Sequence, residues 1–318
     1  MRIALMIEGQ EGVTWDEWVA LAQTCEQRGF DALFRSDHYN GLMGDETRDA
    51  TDAWSIIAAL GAVTSTLRLG TLVSPVTFRH PSVLAKMVAT ADRISGGRVE
   101  LGIGAGWNDR EHAAYGLAFP DLRTRFELLE EQTEIIHRQW TEEVVTFEGA
   151  HYQLDAVQAL PRPVQDHPPL ILGGRAGPRA AALAARFADE YNSVGVGPAE
   201  LPERLTRLDV ACEEADRDPT DLRRSVMTGC IIGSTTDGLH ARAAAVMERM
   251  GEDGDPAAFL AERSARWIVG TPEQVRDRLG RLGELGIDRV MLQHLVHTDL
   301  DMVTLIADEL IDPAASDG

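Results

Sequence analysis

The chain has only three cysteines in 318 residues, Cys25, Cys212 and Cys230. They are too few and too scattered for a disulfide framework or a cysteine zinc site, which fits a reducing cytoplasm. Positive charge is also scarce. Lysine and arginine together number 30 against 51 aspartates and glutamates. The resulting net charge of −21 repels phosphate backbones and anionic membrane surfaces, so no nucleic acid partner is expected. No apolar run reaches the ~18 residues of a membrane span. Met1 to Glu8 is too short and too soon acidic for a signal peptide. The expectation is a cytoplasmic protein with no membrane partner. Gly-x-Ser-x-Gly and Walker spacings are missing, which disfavours hydrolysis through a serine elbow and P-loop chemistry. His112, one position after Glu111, lacks a second ligand at helical spacing, so no metal is expected.

What is present is an ordinary globular composition, 44% hydrophobic and 25% charged, with ample material for a core. Apolar runs at Ile3 to Ile7, Phe30 to Phe34, Leu67 to Val73 and Val99 onward alternate with helical patterns over Trp15–Arg28, Ala53–Val63 and Ser82–Ser95. After a helix over Arg123–Trp140 and an outlying hairpin over Val144–Leu154, the alternation resumes. Strands are expected at Leu170–Arg175, Asp189–Val196, Ser225–Gly233 and Ile287–His294, with an excursion over Thr235–Arg266. Eight strands with their helices predict an α/β fold, a (β/α)8 TIM barrel with insertions. A doubly wound sheet is the alternative. One domain is expected over 1–311, with a frayed tail at 312–318.

In a barrel, polar residues just past strand ends meet on the carboxyl-terminal face. Those residues are Glu8, Asp37 with His38, Ser74, Trp107 with Asn108, Arg175, Asn192 and His294. Asp37-His38 offers an imidazole that titrates near neutral pH beside a carboxylate, suited to proton transfer or simply to holding a loop. The stretch Val99 to Asn108 places glycines at 102, 104 and 106 on alternate positions, a face smooth enough for close packing or for a flat ligand, before an expected polar loop. Gly173-Gly174-Arg175 ahead of Gly177-Pro178 reads equally as a phosphate cradle or a plain strand-to-helix turn.

Several segments together resemble the bacterial luciferase-like flavin and deazaflavin oxidoreductases: Ser36-Asp37-His38, Leu69-Gly70-Thr71, Phe78-Arg79-His80-Pro81, Asp92 to Arg98, Leu101 to Trp107, Glu111-His112 and Pro161-Arg162-Pro163. Within that family the chain is most similar to the actinobacterial branch that uses coenzyme F420. The resemblance implies a TIM barrel, a homodimer and a separate reductase for the cofactor. It also implies a non-proline cis peptide at Leu72-Val73 supporting the ring. Asp37 would reach the deazaflavin, and His38 would act as acid or base. Gly106, Trp107 and Asn108 would flank the cofactor, while Gly173, Gly174 and Arg175 would approach its ribityl or phosphate portion. In the family's sugar-phosphate dehydrogenases a glutamate serves as proton donor where this chain has Trp107, which points to a more apolar substrate. The implied activity is F420-dependent hydride transfer on a small organic molecule. An FMN-dependent monooxygenase and a non-catalytic flavin-binding protein are the other two readings.

Overall fold

The structure is a computed structural model that describes residues 1–311 apart from Val196 and Pro198. The expected frayed tail at 312–318 and the end of the Asp189–Val196 strand lie outside the described residues. In chain order the elements begin β1 (Arg2–Ile7), α1 (Trp15–Gln27), β2 (Ala32–Arg35), α2 (Ala53–Val63), β3 (Arg68–Thr71), β4 (Ser74–Pro75), α3 (Pro81–Ser95) and β5 (Val99–Gly104). They continue as α4 (Asp109–Tyr115), α5 (Leu122–Thr141), β6 (Val145–Glu148), β7 (Gln153–Val157), β8 (Leu170–Gly174), α6 (Pro178–Phe187), β9 (Glu190–Val194) and α7 (Leu201–Glu214). The last part holds β10 (Arg223–Ile232), α8 (Thr236–Met250), α9 (Pro256–Arg263), β11 (Ile268–Gly270), α10 (Pro272–Glu284), β12 (Arg289–Gln293) and α11 (Leu300–Leu310).

Parallel pairing runs β1-β2-β3-β5-β8-β9-β10-β12, and β12 pairs back onto β1 with Arg2 opposite Arg289. The ring closes as the expected eight-stranded barrel. Helix starts follow local chemistry: Thr14 and Glu17 form a capping box at α1, Asp52 caps Ser55 N–H at α2, and Pro81 opens α3. Two local expectations are corrected, the end of the third strand and the segment after the glycine stretch. The third strand ends at Thr71 rather than Val73, because the chain kinks into the separate strand β4. The expected excursion over 235–266, helical by composition, is the helix pair α8 and α9, followed by the short strand β11 beside β10. A helix, α4, opens directly after the glycine stretch, where a loop was expected.

Outward strand residues such as Leu5, Leu33, Leu101, Leu172 and Val290 form the main core under the helices. Inward positions stack in layers. Ala4, Met6, Ala32, Phe34, Leu72, Ile171 and Met291 fill the middle. Below them Arg289, fully buried, lies 2.7 Å from both Glu100 and Glu190 and 2.9 Å from Asp31. Burial would raise the Glu100 carboxyl, but Arg289, helped by Arg68, holds it well below the usual carboxylate range. The amino-terminal end is therefore plugged, which leaves the carboxyl-terminal mouth as the end available for chemistry.

Candidate active site

At the end of β2 the chain delivers Asp37 and His38 in opposite senses. The Asp37 side chain is enclosed: Arg79 Nη1 lies 2.6 Å from its Oδ2, Arg79 Nη2 lies 3.2 Å from its Oδ1, and Ser74 Oγ donates to Oδ2 at 2.6 Å. Arg79 also bonds Asp52 at 2.8 Å, so β2, β4 and the start of α2 are tied together by charge. Burial opposes the Arg79 charge, but Asp37 outweighs it and holds the guanidinium's pKa above its usual value. The resemblance implied that Asp37 reaches the ring. In the structure its oxygens are taken by Arg79 and Ser74, and it stands beneath the mouth rather than at its surface.

His38 turns the other way. Its Nδ1 is 2.9 Å from Glu111 Oε2, and its Nε2 has no protein partner among the described residues. Glu111 is itself buried and accepts the backbone N–H groups of Tyr39 and of Asn40, the latter at 3.3 Å. Burial pushes the His38 pKa down, but the hydrogen bond and charge of Glu111, with Glu8 and Asp37 behind, turn the balance upward. The Glu111 carboxyl, raised by burial, is pulled below its ordinary value chiefly by His38.

Asn108 makes this pairing possible. Its Oδ1 caps α4 by accepting Glu111 N–H at 3.4 Å, and its carbonyl lies 2.6 Å from His112 Nδ1. His112 Nε2 lies 2.5 Å from Thr77 Oγ1, so this ring is consumed by local structure. Trp107 stands free at the rim, 67% exposed, with its ring edge-on to His38 at 5.6 Å between centroids. Glu111 is the residue that the sequence reading missed as a site member. Its signal was the Asn108-x-x-Glu111 spacing of a helix start, which places Glu111 in the first turn.

The glycine strip answers to one side chain. The Leu72-Val73 peptide is cis, as the resemblance implied, and Val73 packs against the interior cluster of the barrel. A Cβ on Gly104 would come within 2.8 Å of Val73 Cγ2, and one on Gly173 within 2.9 Å of Val73 Cγ1. A Cβ on Gly102 would meet the Thr71 carbonyl and also Val73. The smooth face is therefore occupied by Val73 and does not lie open to a flat ligand. Gly106 has a different reason, a φ of +77° beside Pro75 and Thr77.

Across the mouth, Gly173 and Gly174 end β8, Arg175 is exposed, and Gly177 opens α6 without a side-chain cap. Bare amides, a helix start and a cation suit an anion. Asn192, opposite Gly173 in register, donates to Ser225 at 2.8 Å, and its Oδ1 has no partner among the described residues. Ser74 lies inside the Asp37 network, and Glu8 is bonded by Gln10 and Gln293. His294 is a correction: it faces outward from β12 into a cavity of about 10 Å³ beside Cys230, Val246 and Met302, away from the mouth. Among the described residues no group of three or more His, Cys, Asp or Glu could hold a metal ion, and no helix is long and apolar enough to cross a membrane.

Fold and site together define a TIM-barrel protein that carries the His38–Glu111 pair and the Gly173–Gly177 turn at the ends of its strands. The chain belongs to the luciferase-like monooxygenase family, whose profile matches residues 2–289. It is 31% identical to the F420-dependent glucose-6-phosphate dehydrogenase of Microbacterium testaceum, over 90% of this chain and 89% of that one. It is 32% identical to the F420-dependent hydroxymycolic acid dehydrogenase of Mycobacterium tuberculosis, over 80% and 72%. Among solved structures it is similar to the monooxygenase RslO1 from Streptomyces bottropensis, with a TM-score of 0.82 and 25% identity over 98% of both chains.

Proposed function

We propose that this chain is an F420-dependent oxidoreductase that moves a hydride to or from a small organic alcohol, carbonyl or activated double bond. The observation that carries the reading is His38, with one ring nitrogen bound to Glu111 and the other without a protein partner at the barrel mouth. The residues present fit the cofactor. Gly173, Gly174, Arg175 and the uncapped start of α6 suit its phosphate. Leu72 and Val73, just ahead of β4, and Gly106, Trp107 and Asn108, between β5 and α4, would flank its ring. When bound, the deazaflavin supplies a two-electron hydride acceptor or donor. His38 gives or takes the accompanying proton at Nε2, and Asp37 keeps Arg79 and Ser74 in place below. The F420-dependent relatives support this cofactor.

A non-phosphorylated, apolar substrate is favoured. Trp107 puts an exposed indole where a sugar-phosphate enzyme would use a glutamate. The chain's single lysine, Lys86, bonds the Leu160 carbonyl outside the barrel. The reading takes the protein as a cytoplasmic homodimer served by a separate cofactor reductase. The likeness to a monooxygenase favours FMN as the second reading. Titration of the purified protein with F420 and with FMN, each oxidised and reduced, separates the two. Saturable F420 binding is expected; binding of FMN without F420 overturns the proposal.

A further inference from the structure

We infer that Glu111 is a positioning residue: it holds the His38 ring in one tautomer, with Nδ1–H bound inward and Nε2 as the only nitrogen that exchanges protons with a ligand. The inference rests on the role proposed above for His38.

The donor inventory decides the tautomer. A carboxylate only accepts, so a ring nitrogen 2.9 Å from Glu111 Oε2 has to carry the hydrogen. That hydrogen stays on Nδ1 in both charge states of the imidazole, and titration is confined to Nε2. Glu111 cannot easily turn away. It is 1% exposed, and its other oxygen accepts from the backbone of Tyr39 and Asn40. Asn108 fixes it from its own helix by capping Glu111 N–H, with Asn108 Nδ2 3.5 Å from Oε2. One carboxylate thus sets both the ring and the two residues that follow it. A neutral His38 presents a lone pair that can take the hydroxyl proton of an alcohol as its hydride leaves, and in the reverse direction the charged ring gives that proton to the oxygen of a carbonyl substrate as it receives a hydride.

The groups that face His38 come from three strand ends and α4. Glu111 approaches from α4, Glu8 follows β1, Asp37 follows β2, and the Trp107 ring stands edge-on after β5. The three carboxylates favour the charged ring and burial opposes it. Removing Glu111 therefore lets burial dominate, and the His38 titration should move to lower pH.

The test uses protein labelled with ¹⁵N-histidine and free of cofactor, with His38 assigned among the nine histidines through His38→Gln. Long-range ¹H–¹⁵N spectra of the wild type above the His38 transition should show Nδ1 protonated and Nε2 bare. Glu111→Gln should lower the His38 titration by ~1 pH unit or more, and Glu111→Asp should restore part of the shift. Thermal unfolding of each variant separates loss of positioning from loss of fold. A wild-type ring protonated at Nε2 overturns the inference without any variant, as does a Glu111→Gln protein whose His38 tautomer and titration are unchanged. None of these readouts needs the cofactor. Failure to bind F420 would remove the proposed function and leave the assignment of Glu111 standing.

Discussion

Buried carboxylates meet cations at both ends of this barrel, but the cations differ in kind. At the amino-terminal end Arg289 joins Glu100, Glu190 and Asp31 with no exposed side chain except a fringe of Asp31. At the mouth, Glu111 pairs with an imidazole whose side chain is 15% exposed. A guanidinium keeps its proton over the whole working range, so the lower cluster is a fixed plug. An imidazole changes charge near neutrality, so the upper pair can pass a proton. The same fold places permanent charge where it closes the barrel and exchangeable charge where a ligand enters.

That contrast can be broken at either end. The largest effect expected is on chemistry: His38→Ala should slow single-turnover hydride transfer by ~10²–10⁴-fold, the usual worth of a general acid or base. Cofactor affinity should be retained. A stopped-flow rate equal to wild type would remove His38 from the reaction. Arg289→Met should instead cost stability, about 3–5 kcal/mol by urea unfolding, because Glu190 is left buried without a cation and Glu100 with Arg68 alone. An unaltered unfolding midpoint would show that the lower cluster is not a structural plug.

Acid should separate the histidines. Burial pulls His294 down to about 4, and burial with Arg249 does the same to His297. The stability that comes from keeping His294 neutral is complete above its ordinary value of 6.5 and is lost as pH falls through about 4. It amounts to on the order of 3 kcal/mol. His38 has the opposite sign: its raised pKa contributes stability fully below 6.5, which fades as pH rises through the folded value. Chemical unfolding at pH 7 and pH 4.5 should show the loss, and His294→Leu should flatten it; an equal slope in that variant would contradict the assignment. The smallest structural effect belongs to Trp107→Ala, expected to change stability by less than ~0.5 kcal/mol. Its consequence should fall on KM for apolar substrates, and an unchanged substrate profile would detach Trp107 from specificity.

The barrel was legible because its eight strands repeat apolar runs between capped helices, as at Thr14, Asp52 and Pro81. The ligand rim was legible in part: Asp37 and His38 sit at a strand end, and the cis peptide falls at Leu72-Val73. What sequence could not show were partners far along the chain. Arg79 lies 42 residues from Asp37, and Glu111 lies 73 from His38. Periodicity reports which face of an element is buried, not which distant side chain it meets. The short α4 escaped because its seven residues carry too little pattern for a helical period, although Asn108 marks its start. The glycine strip was read as a smooth face for close packing or for a flat ligand, and close packing holds: the occupant is Val73, which lies between β3 and β4 where no alternation reveals it.

Val73 gives that strip a history as well as a shape. Gly104 on one strand and Gly173 on the next make way for the same isopropyl group, while Gly102 makes way first for the Thr71 carbonyl. The tolerance of Gly104 and Gly173 to change is therefore set elsewhere: while valine stands at 73 both are closed to a larger residue, and trimming that valine is what would reopen them. Positions 73, 104 and 173 share one space, so a library that randomises either glycine alone explores a blocked path.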